Sequence, residues 1–224
     1  MKITENIGLI EYTKRQEILN SLTHAAGAVF AVTGLVLCLI RVSGKGPVAV
    51  LSAVLYCCSF IAVYTASALY HGLPDGNAKR LLRLIDHISI PVLLAGTTTP
   101  CALITLYRVS HIHGIAVFAA GWFCAVFGAV AKLFFFNSEK MKAACIAVYF
   151  ICGSAMLLSA LPRLGSINKT GFLLLCAGCL LYTAGAVFCR LGIKQPWFHA
   201  VFHVFVLAGS MMHFYVIYNF IFSF

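Results

Sequence analysis

Two histidines four residues apart, His199 and His203, lie in the run Trp197-Phe198-His199-Ala200-Val201-Phe202-His203. On a helix that spacing turns both imidazoles to one face. A histidine pair at this spacing is half of a helical zinc site. Metalloprotease helices carry a Glu after the first His, where this chain has Ala200, so a general base must come from elsewhere. A second segment, Ser67-Ala68-Leu69-Tyr70-His71, puts Ser67 and His71 on a shared helical face. A third, Asn20-Ser21-Leu22-Thr23-His24, does the same for Asn20 and His24. Asp86 is the one acidic residue in an apolar block. A carboxylate inside a membrane is costly and usually functional; an Asp capping a helix N-terminus is the plainer alternative.

The elements that must position these residues are membrane spans. Of 224 residues, 62% are hydrophobic and 10% charged. Soluble domains run near half apolar and a quarter charged. Seven stretches have the roughly 20 apolar residues a span requires: 22–41, 48–71, 84–107, 112–133, 143–162, 171–190 and 197–222. The reading is an all-α, seven-helix membrane bundle forming one domain over 1–224. Residues 1–19 are polar, with both charge signs, and show no cleavable signal. Short connections hold Gly44, Gly46, Pro74-Asp75-Gly76 and Gly192 to Pro196. Thr97-Thr98-Thr99-Pro100 reads as a proline kink whose hydroxyls absorb freed carbonyls.

Basic residues set orientation. With the N-terminus inside, Lys2, Lys14, Arg15, Lys79, Arg80, Arg83, Lys132, Lys140, Lys142, Arg190 and Lys194 are cytoplasmic, eleven of the 16. Arg41, Lys45, Arg108, Arg163 and Lys169 are outside, the remaining five of the 16. The bias favours N-in and C-out. The net charge of +10 comes from residues scattered singly between apolar blocks, which argues against nucleic acid as a partner and for membrane lipids. The ten cysteines lie in or beside apolar blocks and read as small buried residues; Cys176 and Cys179 form a CxxC without a second pair.

This topology brings the chemistry to one membrane face. Helices one, three and seven begin there and helix two ends there. His24, His71, Asp86, His199 and His203 therefore share a depth. Three neutral imidazoles with an open fourth position match catalytic zinc, and a nearby carboxylate orients or deprotonates its water. His24 and Asn20 are expected to hydrogen-bond a ligand or Asp86 from behind. Ser67 would donate to a developing oxyanion. His213 lies about 15 Å deeper on its helix and reads as a core hydrogen-bonding residue. His87 points away from Asp86, and His111 and His113 fall in the loop after helix three.

The ordered set NSLTH, SALYH, Asp86-His87, GTTTP and HAVFH followed by His213 resembles the hemolysin III family over essentially the whole chain. That family is related to the progestin and adipoQ receptors, including the adiponectin receptors. The resemblance implies a bacterial, inner-membrane protein with zinc on His71, His199 and His203, Asp86 contacting its water, and Ser67 as the family's serine. Through the related alkaline ceramidases it also implies hydrolysis of lipid amides or esters. The competing readings are a sensor or receptor of membrane state with a structural zinc, a transporter with a His and Asp relay, and the cytolytic activity in the family's name. Direct ligation of the metal by Asp86 would favour a closed, structural site; a gap wide enough for water would favour catalysis. Oligomeric state is not readable from the sequence.

Overall fold

The structure, a computed structural model, describes residues 7–160 and 168–223. All regular structure among the described residues is helical. Helix α1, Lys14–Val42, starts at a capping box: Gln16 N–H donates to the Thr13 hydroxyl, and the Gln16 side chain accepts from Thr13 N–H at 2.9 Å. Its buried stripe runs Gln16, Asn20, His24, Gly27, Ala31, Gly34, Cys38 and Val42. Polar residues occupy the first turns of that stripe and small ones its middle, where helices must approach closely. The turn after α1 uses Gly44 (φ 76°) and Gly46 (φ 91°), both in the left-handed region that favours glycine. Pro47 then opens α2, Pro47–Gly72, at a position where no N–H is missed.

Helix α3, Asn77–Pro100, contains Pro91 and Pro100 and passes into a wider turn over Cys101–Leu106. The Thr97 hydroxyl donates to the Leu93 carbonyl at 2.8 Å, and Thr98 and Thr99 both donate to Ala95, at 2.9 and 2.8 Å. The threonines thus engage carbonyls beside the one Pro100 frees, that of Gly96, and the chain absorbs the proline by widening. Helix α4 is His111–Phe135, α5 is Glu139–Ala160, α6 is Lys169–Leu191, and α7 is Trp197–Val216, which widens over Ile217–Ile221. His111 and His113 lie in the first turn of α4, not in a loop, because Ser110 caps that helix.

Neighbours in the bundle run α7, α1, α2, α3, α4, α5, with α6 packed on α7. Among the described residues, six helices are long and apolar enough to cross a membrane: Lys14–Val42, Pro47–Gly72, Asn77–Val109, His111–Phe135, Lys169–Leu191 and Trp197–Ile221. Helix α5 stands where the expected 143–162 span falls; residues 161 and 162, Lys2 and Arg163 of the charge count, and the Cys152 side chain lie outside the described residues. Large apolar side chains such as Leu22, Val29, Ile112, Phe123 and Leu180 face outward, as they do towards lipid. Two helices start earlier than hydropathy suggests, α1 at Lys14 instead of 22 and α3 at Asn77 instead of 84. Both extensions are polar first turns carried on a helix whose apolar part begins later. The cysteines among the described residues are free thiols, mostly buried or half-buried, with Cys58 exposed.

Candidate metal centre

At one end of the bundle α7 contributes two adjacent turns and α2 its last one. His199 and His203 stand with Nε2 atoms 3.1 Å apart. His71 faces them, and one nitrogen from each of the three rings lies within 4.8 Å of the others. The hydrogen bonds behind the rings fix their tautomers. His71 Nδ1 donates to the Glu17 carboxylate at 2.6 Å, which leaves a lone pair on Nε2. That Nε2 is buried with no hydrogen-bond partner. His203 Nδ1 donates to the Asn20 carbonyl at 3.2 Å, which again leaves Nε2 as the acceptor. Three converging imidazole nitrogens, that of His71 buried without a partner, suit a metal ion in an apolar interior. The site could hold a metal ion on His71, His199 and His203.

Glu17 is the residue that the sequence did not reveal. It bridges His71 and the buried Lys79, whose Nζ donates to it at 2.6 Å and to the Leu73 carbonyl at 3.0 Å. Asp75 approaches the same ammonium at 3.4 Å. The expectation that Asp86 is the sole carboxylate in a span is therefore corrected, since α1 carries Glu17 into the bundle. The usable signal was the Thr13-to-Gln16 capping box, which starts the helix early enough to place Glu17, Asn20 and His24 on neighbouring turns.

His24 does reach the site, but by stacking on His203 with ring centroids 3.7 Å apart. It makes no hydrogen bond to a ligand or to Asp86; both its ring nitrogens are buried without partners. The expected hydrogen-bonding role is thus replaced by ring packing, with Tyr64 edge-on to His24 at 5.1 Å. Asn20 supports His203 through its backbone, and its side-chain amide is buried and unpartnered. Ser67 is buried one turn before His71, and its hydroxyl makes no hydrogen bond of good geometry. Asp86 lies against Ser67 and within electrostatic reach of Arg83, Tyr70 and Cys189. It is not one of the three metal-competent residues.

The remaining histidines lie elsewhere. His213 is buried and donates from Nε2 to the Leu175 carbonyl at 3.1 Å, the core role expected of it. His87 packs edge-on against Phe136, and His111 stacks on Tyr107.

A strap closes the end of the bundle over these rings. Ile7 is buried against Leu84 and Phe136. Arg80 and Arg83 donate to the carbonyls of Ile7 and Gly8. The strap then lays Tyr12 beside His71 and His199, with ring centroids 5.5 and 5.4 Å away.

The fold and site define a multi-pass integral membrane protein with a three-histidine, metal-competent group at one end of its bundle. Residues 12–214 match the family described as Haemolysin-III related. Hemolysin-3 of Bacillus cereus is 34% identical over 216 residues, covering 96% of this chain and 96% of that protein. A hemolysin-3 homolog of Bacillus subtilis (strain 168) is 32% identical over 207 residues, covering 92% of this chain and 94% of that one. The chain belongs to the haemolysin III family.

Proposed function

We propose that this protein is a seven-span bacterial inner-membrane protein, N-terminus in the cytoplasm, that binds zinc through His71, His199 and His203 and hydrolyses lipid amides or esters. The observation that carries the proposal is the buried, unpartnered Nε2 of His71 facing the paired Nε2 atoms of His199 and His203. Three neutral imidazoles, with no fourth metal-competent side chain grouped with them among the described residues, match a catalytic rather than a closed zinc site. Bound zinc would supply Lewis acidity and a nucleophilic water at neutral pH.

The chain's own residues would then do the following. Asp86, outside the metal group but beside Ser67, takes the proton of the attacking water and returns it to the leaving amine or alcohol as the acyl C–N or C–O bond breaks. Ser67 donates its hydroxyl proton to the oxyanion that forms on the acyl oxygen. Glu17 and the Asn20 carbonyl hold two of the ligand rings in register. At one end of a membrane bundle this chemistry would lie near the headgroups of one leaflet, the depth of the carbonyl of a sphingolipid or other acyl amide.

The test is turnover of a lipid amide by purified protein, run beside metal analysis. Wild type should hold about one zinc per chain, and Ala at His71, His199 or His203 should lower occupancy sharply, whereas His213→Ala should not. Asp86→Asn should keep the metal and lose on the order of a hundredfold in rate, the scale of a general base. Equal rates for wild type, chelated protein and Asp86→Asn would remove the enzyme reading. A sensor with a structural metal would then lead, favoured by Tyr12 packing over two of the three rings. The name hemolysin, borne by both Bacillus relatives, adds cytolysis as an alternative, tested by adding the same purified protein to red cells.

A further inference from the structure

Asn20 is fully buried, at 0% exposure, and both its side-chain oxygen and its side-chain nitrogen lack a hydrogen-bond partner. Leaving a buried amide unpaired is costly, so the group calls for a partner. Its neighbours on α1 locate the amide. Glu17, about one turn earlier, touches His71, and His24, one turn later, stacks on His203. The Asn20 carbonyl itself receives the His203 Nδ1 proton. The Asn20 side chain therefore belongs to the buried face of α1 between the two contacts that flank the metal group.

A carboxamide offers one acceptor oxygen and two N–H donors. A secondary amide offers the complement, one N–H donor and one carbonyl acceptor. In a trans secondary amide these two groups lie on opposite edges, so one carboxamide meets one of them, and the Asn20 oxygen can accept the N–H. An acyl ester offers acceptors alone, so it would leave the Asn20 oxygen buried and unpaired. Sites built to hydrogen-bond a donor reject analogues that lack it, because the site's own polar group is stranded.

We infer that Asn20 distinguishes an N-acyl amide from an acyl ester at this centre, its side-chain oxygen accepting the substrate N–H. The inference rests on the hydrolase reading for the placement of the acyl group, but binding alone can test it. The matched probes are an N-acylethanolamine and the ethylene glycol monoester of the same fatty acid, which differ by NH against O. Binding of each to zinc-loaded protein in lipid nanodiscs would be measured in the Asp86→Asn background, so that neither probe is consumed.

The expected result is an amide preference on the order of tenfold, the scale of one net hydrogen bond. Asn20→Leu, close in volume, should erase the preference with zinc content unchanged. Asn20→Ser provides a second, smaller variant if the Leu protein is not recovered. Equal binding of the two probes by the Asn20 protein, the result expected if water alone fills the site, would overturn the inference, as would a preference that survives in both variants. A clear preference without turnover by wild type would count against the hydrolase reading and leave the Asn20 assignment standing. Turnover without a preference would do the reverse.

Discussion

The Glu17 carboxylate meets His71 Nδ1 and Lys79 Nζ, each at 2.6 Å. Its negative charge holds the His71 proton on the far nitrogen, balances a buried ammonium, and lowers the electrostatic cost of a dication nearby. Glu17→Gln keeps the shape but removes the charge, so Lys79 loses its strongest partner and His71 its best acceptor. Metal affinity should fall by about 10- to 100-fold, the usual effect of losing a residue behind a ligand, as read by competition with a chromogenic chelator. Unchanged affinity would mean that Glu17 serves only Lys79. At this scale the sequence was uneven. His199 and His203 were legible because four residues on one helix is a short-range geometric statement. Glu17 was not, because its partner is 54 positions away and nothing local announces the pairing. Depth placed His24 and Asn20 near the site, but whether each acts by stacking, by backbone or by side chain depends on packing that spacing does not encode.

Helices were legible where apolar content defines them and blurred where polar turns extend them. Hydropathy started α1 eight residues late, at 22 instead of Lys14, and so treated Glu17 as part of a solvated tail. The capping box overrides hydropathy there because a helix end is fixed by its unpaired N–H groups, whatever its polarity. Packing between α6 and α7 was equally invisible. Gly178 on α6 lies against the His213 ring, so closely that a methyl group would overlap it. His213 is pinned by its bond to Leu175, and its ring is rigid. Gly178→Ala should therefore destabilise the protein by about 1–3 kcal/mol, as overpacking does, seen as a lower unfolding temperature in detergent. The metal content of the folded fraction should stay the same, since the His213 ring is not in the metal group. A variant as stable as wild type would mean that the two helices separate easily.

For the whole molecule, composition alone established a multi-pass, all-helical membrane protein, because 62% apolar residues leave a soluble fold no way to hide them. Convergence of four segments on one end was also legible, since alternating spans return every second helix end to the same face. The proposed orientation rests on eleven basic residues against five among the 16. A reporter active only outside the cytoplasm, fused after Phe224, should be active if seven spans carry the C-terminus across. Activity of a cytoplasmic reporter at the same position would instead mean an even number of spans or the opposite orientation.

The strap over the histidines separates two quantities that a ligand set alone would tie together. For the proposed metal, affinity would be set by the three imidazoles and the groups behind them, but residence time would also depend on how often Ile7 and Tyr12 leave their seats. A metal ion, if the three histidines hold one as proposed, would exchange no faster than that opening permits. Loosening the strap, by Arg80→Ala or Tyr12→Ala, would speed loading and loss together, because a barrier lowered for one direction is lowered for both. Two proteins with the same ligands could thus differ in how long they hold what they bind, through a handful of residues that never touch it.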